Sequence, residues 1–304
     1  GAHRPLVWRG IIIVGTGSGF RRRGGGLLAL DAASGDEVWR REFAAGDFFK
    51  AKGYPDRCIH RERLYITDSD TCMVLDTRTG EENWRTARDE KSTWATPFLW
   101  KNELREEIIV PGKNRIRSYD LNGNVIWEMD GRMSNLVIPS PFAAHGLLYI
   151  SSGYFADQER PIWAIKPGAS GDISLGEDET TNEFVQWHTP KGGPYNTSPL
   201  VHGKYYYTLL DRGMMSVQEA LTGEVFVDRE RFPVGASFTA SPWAYNGKVF
   251  CLNEAGNTYV ITEGPEFNIE HTNDLDDLTL ATPAIVDGKL LIRTSTKLYC
   301  LTNK

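Results

Sequence analysis

Residues able to do chemistry are scattered along this 304-residue chain, and no local spacing gathers them into a familiar reaction centre. Cys58, Cys72, Cys251 and Cys300 include no C-x₂₋₄-C pair, so nothing points to a zinc site. His60, His145, His188 and His202 have no identifiable partners, and no nucleophile–base–acid triad can be recognised. Gly15-Thr-Gly-Ser-Gly19 follows an apolar run as a dinucleotide-binding loop would. Phe20 comes next, however, and residues 21–26 cannot open the helix whose N-terminus would hold pyrophosphate. A hairpin loop is expected there instead. Asn196-Thr-Ser198 is a formal glycosylation acceptor, but it leads straight into a strand.

A dispersed set of charges, amides and aromatics is left, of a kind that suits a carbohydrate, a small polar ligand or a peptide. The candidate binding residues are Asp68, Asp70, Trp94, Lys113, Asn114, Tyr154, Tyr195, Asn196, Asp211, Arg212 and Glu254. Lys91, Thr93, Asn135, Ser237, Phe238 and Asn253 occupy comparable places. Close carboxylates among them, with Asp211, Arg212 or Asp70 in view, could also do general acid–base work. Dispersed residues become a site only if the fold brings their loops together.

The elements that would do so are written as a repeat. The turn Leu30-Asp-Ala-Ala-Ser-Gly-Asp-Glu-Val-Trp39 recurs as Leu75-Asp-Thr-Arg-Thr-Gly-Glu-Glu-Asn-Trp84, then as Tyr119-Asp-Leu-Asn-Gly-Asn-Val-Ile-Trp127, and in degenerate form at Val217–Phe226. Asp31, Asp76 and Asp120 are thus 45 and 44 residues apart. Out of phase with this turn run short segments headed by Ser-Pro or Thr-Pro at 96, 140, 198, 241 and 282. Arg4-Pro5 and the proline-free Arg57–His60 fit the same frame, making seven copies. Each is followed by a turn and an apolar, β-branched or aromatic run, with Asn246-Gly247 and Asp287-Gly288 as typical two-residue hairpin turns.

The unit predicted is a four-stranded antiparallel meander. Seven such units with no helical period predict an all-β fold, a single β-propeller domain over 1–304. Its blades fall near 1–46, 47–90, 91–132, 133–190, 191–233, 234–274 and 275–304. The alternative is eight blades with parts missing from this chain. The last blade is expected to lack its outer strand, which residues upstream of Gly1 would supply unless the blade has three strands. In this frame the candidate residues lie in loops before first strands and between second and third strands, where a propeller's loops converge on its central channel. Trp39, Trp84, Trp127 and Trp187 become inter-blade packing residues, and the acidic stretch 171–183 a solvated excursion. Cys58 and Cys72 fall on the first and third strands of one blade, roughly 9.5 Å apart and beyond disulfide reach. All four thiols are expected to be free, buried small hydrophobes.

The Leu-Asp-x-x-(Ser/Thr)-Gly-x-x-x-Trp turn resembles the repeat of pyrroloquinoline-quinone-like propellers. That group includes quinoprotein dehydrogenases and a propeller lipoprotein that helps assemble outer-membrane proteins. Lys91–Pro97, Ile162–Asp172, Gly192–Pro199 and Phe238–Gly247 are similar to a family of secreted bacterial proteins of this type. The resemblance implies a periplasmic or secreted location, although no targeting signal stands in this sequence. It also raises a quinone with calcium as a cofactor. Quinoprotein alcohol dehydrogenases of this architecture resemble one another in an adjacent Cys-Cys pair, which is absent here, so no cofactor is expected.

Composition narrows the rest. With a net charge of −6 the chain gives no electrostatic reason to bind nucleic acid or anionic lipid, and its longest apolar runs fall far short of a membrane span. Three functions remain open. The favoured one is a non-catalytic, monomeric binding or scaffold propeller that takes a protein or carbohydrate partner on its channel face or blade edges. An enzyme acting on a carbohydrate or small polar substrate at the channel mouth is the alternative, and a quinone-dependent dehydrogenase the third.

Overall fold

A computed structural model of the chain describes residues 5–16, 25–43, 56–67, 70–90, 93–233 and 235–302. Asp68 and Lys91, and the glycine-rich segment from residue 17 to residue 24, lie outside the described residues. The described residues form strands, turns and bends, with no helix among them. Seven antiparallel sheets follow one another along the chain, the blades of a β-propeller. They divide between two compact units, residues 1–142 with 167–176, and residues 143–166 with 177–304.

In the first unit, blade 1 is the meander Leu6–Trp8, Ile11–Thr16, Gly25–Asp31 and Glu37–Phe43. Blade 2 is Asp56–His60, Arg63–Thr67, Thr71–Asp76 and Glu82–Ala87, and blade 3 is Phe98–Lys101, Glu106–Pro111, Ile116–Tyr119 and Val125–Met129. In the second unit, blade 4 comprises Phe142–Ala144, Leu147–Ser151, Ile162–Ile165 and Val185–Thr189. Blade 5 comprises Leu200–His202, Tyr205–Leu210, Met214–Glu219 and Val225–Arg231, and blade 6 Trp243–Tyr245, Lys248–Leu252, Asn257–Thr262 and Ile269–Asp274. Blade 7 has three strands among the described residues, Ala284–Val286, Lys289–Arg293 and Leu298–Thr302.

The repeated turn has a local physical cause. Asp31 Oδ1 accepts the amides of Ala33 and Ser34 at 2.9 and 2.8 Å, and Asp76 Oδ1 those of Arg78 and Thr79 at 2.8 and 3.0 Å. The short acceptor side chain thereby satisfies amides that the turn leaves without strand partners. The glycine that follows sits in the left-handed region, φ +79° at Gly35 and +73° at Gly80, where a side chain is disfavoured.

The core lies between blades because both faces of each sheet are covered. In blade 2, Leu64, Ile66, Met73 and Leu75 pack with Ile13, Leu27, Ala29 and Trp39 of blade 1. Their alternates Tyr65, Cys72 and Val74 pack with Ile108, Val110 and Tyr119 of blade 3. The strand's period of two assigns alternate side chains to different interfaces. The repeat tryptophans lock these interfaces. Trp39 Nε1 donates to the Thr77 carbonyl at 2.9 Å, Trp84 Nε1 to the Leu121 carbonyl at 3.0 Å, and, in the second unit, Trp187 Nε1 to the Ala220 carbonyl at 2.8 Å. Trp127 departs from the pattern: its indole donates to Glu107 Oε2 of its own blade at 2.7 Å.

Three expectations need correction. The stretch 171–183 is not wholly a solvated excursion, because Gly171–Asp172 adds a fifth, parallel strand to blade 3 through the pairs Trp127↔Gly171 and Glu128↔Asp172. Asp172 pairs with Arg115 at 2.9 Å, and Arg132 donates to the carbonyls of Leu175 and Gly176. The four thiols are free, but only Cys72 and Cys251 are buried; Cys58 is half-buried and Cys300 exposed. The histidines have neighbours: His60 approaches Glu106 at 3.6 Å, His145 hydrogen-bonds the Gly203 carbonyl, His188 stacks on Trp163 with ring centroids 3.8 Å apart, and His202 meets Glu263 at 2.9 Å.

Candidate functional site

The candidate residues separate by unit. In the first, Asp70, Trp94, Lys113 and Asn114 hold loops together. The Asp70 carbonyl accepts the Arg88 amide at 2.7 Å, and the Trp94 amide donates to the Val137 carbonyl at 2.7 Å. Lys113 Nζ donates to the Met133 carbonyl at 2.7 Å, and Asn114 Nδ2 to the Asp89 carbonyl at 2.7 Å. The organising group is Glu90, whose side chain is fully buried. It accepts the amides of Asn114 and Arg115 at 2.6 and 3.0 Å and pairs with Arg117 Nη1 at 3.0 Å. Arg117 also grips Asp89 at 2.7 Å and Glu128 at 2.9 Å. Nothing in the local sequence singles out Glu90, because its partners come from another blade.

In the second unit the candidates converge. Tyr154 follows the second strand of blade 4; Tyr195 and Asn196 precede the first strand of blade 5; Asp211 and Arg212 follow its second strand; Glu254 follows the second strand of blade 6. The approach of the first two loops depends on glycine. Gly153 and Gly193 pass so closely that a Cβ on either would strike backbone of the other's segment, and the amides of Gly192 and Gly193 donate to the Arg160 carbonyl at 2.8 and 2.7 Å.

The result is an aromatic patch edged by charge. The Tyr154 and Tyr195 rings meet edge to face with centroids 5.1 Å apart, and Phe155 lies 4.6 Å from Tyr154. The Arg212 guanidinium stacks over Phe155 at 3.9 Å, although Phe155 stays 48% exposed. Burial raises the Asp211 carboxyl above the ordinary aspartate range. The nearby Arg212 and Arg160 guanidinium groups oppose that rise, and the Glu254 carboxylate adds to it. Burial also raises the Tyr195 hydroxyl, with Tyr154 and Asp211 beside it. Glu254 is held by Thr239, whose hydroxyl donates to Oε1 at 2.6 Å, and Asn196 is half-buried in its loop. Sequence reasoning missed Phe155 and Arg160. Adjacency to Tyr154 could have drawn attention to Phe155, whereas nothing local distinguishes Arg160.

Chemically, such a patch can stack on a sugar ring, a proline or an aromatic side chain while Arg212 and Asp211 fix orientation by hydrogen bonds. The described residues offer no set that fits a quinone with calcium. No two cysteines adjoin, and among the described residues no three His, Cys, Asp or Glu side chains gather as metal ligands.

Known proteins carry the same architecture. The crystal structure of BamB from Moraxella catarrhalis superposes with a TM-score of 0.67 over 95% of this chain and 80% of that one, at 16% identity. The computationally designed Ika8 protein superposes with a TM-score of 0.60 over 96% and 80%, at 12% identity. Both likenesses establish the fold, a β-propeller. A family model described as outer membrane protein assembly factor BamB matches residues 23–173. A serine/threonine-protein kinase, AfsK of Streptomyces griseus, is 25% identical over 172 residues, 56% of this chain but only 20% of the kinase. The chain therefore spans about a fifth of the length of that curated relative. The family model over residues 23–173 and the repeated Leu-Asp-x-x-(Ser/Thr)-Gly turn support a likeness to the pyrroloquinoline-quinone-like repeat propellers.

Proposed function

We propose that this chain is a non-catalytic binding module, working as one propeller domain over 1–304, that takes a polypeptide partner on the loops around Tyr154, Phe155, Tyr195 and Arg212. One observation carries the reading: an exposed Phe155 bracketed by Arg212 and Tyr154, in the loops that follow the second strands of blades 4 and 5. Aromatic and arginine side chains supply most of the energy of protein interfaces, and a rigid frame lowers the ordering cost of docking. The match to a family described as an assembly factor supports a partner-binding role, and the same likeness supports a periplasmic or secreted setting. Among the described residues no helix is long and apolar enough to cross a membrane.

Selection of peptides from a displayed library against the purified chain tests the reading. Selected peptides should lose at least roughly tenfold in affinity for the Phe155→Ala and Arg212→Ala variants, the scale of a hot-spot truncation. Affinity unchanged in both variants would sink it.

The raised Asp211 carboxyl supports a second reading, in which Asp211 serves as a general acid toward a carbohydrate. Turnover of a glycan array that vanishes in Asp211→Asn, while the fold is kept, would replace the first reading with this one.

A further inference from the structure

A separate cavity opens in the first unit, at the strand ends away from the candidate loops. Arg9, His60, Arg61, Glu62, Arg63, Tyr65, Leu121 and Asn122, from three consecutive blades, line about 640 Å³. That volume falls within the range of small-molecule sites. Three arginines face one glutamate, a local positive excess on a chain whose net charge is −6.

Each guanidinium is only partly engaged. Arg9 Nη1 stands 3.9 Å from Glu62, Arg61 Nη2 bonds Glu106 at 3.0 Å, and Arg63 Nη1 donates to the Leu121 carbonyl. Glu62 is itself shared with Arg78. An arginine offers five N–H donors, so each retains several for a guest. Behind the arginines the lining closes on the fully buried Tyr65 and on His60, whose Nε2 stands 3.6 Å from Glu106. The rim shows backbone strain as well. Arg9 and Arg61 hold φ of +42° and +53°, where the equivalent hairpins of blades 6 and 7 place Asn246 and Asp287.

We propose that this cavity binds a small organic carboxylate with an apolar body. Arg9 and Arg61 pair with the carboxylate at the rim, and Leu121 with the Tyr65 and His60 rings face the body.

Naphthoate, with uncharged naphthamide as control, is a suitable probe in nuclear magnetic resonance titrations of the purified chain. Saturable naphthoate binding is expected, with shifts at the His60 and Tyr65 rings and no matching response to naphthamide. Arg61→Gln should weaken it roughly tenfold, the loss of one hydrogen bond between charged groups. Arg9→Gln, at a side chain 71% exposed and free of core contacts, provides a second variant that leaves the fold intact. No saturable response to naphthoate, an equal response to naphthamide, or unchanged affinity in both variants would overturn the proposal.

Discussion

The indole of Trp39 lies flat against Gly80, so close that a Cβ on that glycine would stand 2.8 Å from the ring. The same arrangement recurs between Trp84 and Gly123, and in the second unit between Trp187 and Gly223. Each glycine thus meets two demands at once, a left-handed backbone and a bare face for the tryptophan of the preceding blade.

Gly80→Ala should therefore cost more than backbone strain alone. At Gly35 the φ is similar, +79°, but nothing lies within 4 Å of the added methyl. We expect Gly35→Ala to destabilise by about 1 kcal/mol and Gly80→Ala by a further 1–3 kcal/mol, roughly the cost of overpacking. Urea unfolding of the two variants reads the difference, and equal midpoints would remove the packing role of Gly80.

Glu107 has a fully buried side chain that accepts from Trp127 Nε1, Ser118 Oγ at 2.6 Å, Asn102 Nδ2 at 2.9 Å and Arg105 Nε at 3.0 Å. Trp127→Phe leaves that carboxylate short of a donor, whereas Trp39→Phe leaves a carbonyl short. The first should cost about 2–4 kcal/mol and the second about 1–2 kcal/mol. Denaturant midpoints in the reverse order would contradict this account.

Asp172 is held at a pKa of about 2 by the hydroxyl and amide of Ser174, at 2.5 and 2.9 Å, with Arg115 adding to the effect. A carboxylate with a depressed folded pKa contributes stability that is fully present above its unfolded pKa of about 4 and is lost as pH falls toward 2. The Ile173 amide, bonded to the Glu128 carbonyl at 2.9 Å, reports attachment of the fifth strand. Its protection from hydrogen exchange, corrected for intrinsic rate, should fall between pH 4 and 2. In Asp172→Asn that dependence should disappear, and a persisting pH response would assign the attachment elsewhere.

The thiols should separate by reactivity. Burial pushes Cys72 up to about 12 and raises Cys251 as well, while Cys300 is exposed on the last strand. Maleimide at neutral pH followed by mass spectrometry should label Cys300 first and Cys58 more slowly. Cys72 and Cys251 should react only on unfolding, and their early labelling would indicate that blades 2 and 6 open readily.

The repeat was readable because its causes are local. An aspartate must accept turn amides, and a glycine must take positive φ and admit an indole, so Asp31–Gly35–Trp39 and Asp76–Gly80–Trp84 announce themselves within ten residues. Loop placement followed from strand order, which brought Tyr154, Tyr195 and Asp211 into one neighbourhood. Glu90 and Glu107 were invisible because a buried carboxylate is tolerated only through donors, and decisive ones come from far along the chain, Arg117 for Glu90 and Trp127 for Glu107. The carboxylate-lined turns and the arginine cavity differ in the same way: Arg9, Arg61 and Leu121 belong to different blades and meet only in three dimensions.

The pairing of Gly171 with Trp127 also sets an order of events on the ribosome. Blade 3 emerges with Val125–Met129 as a bare edge, and the segment that covers it is made only about forty residues later, after three strands that belong to blade 4. During vectorial synthesis that edge is open to mispairing for several seconds at ordinary elongation rates. Once Asp172 docks, the nascent chain is tied back onto its earlier part before blade 5 has appeared.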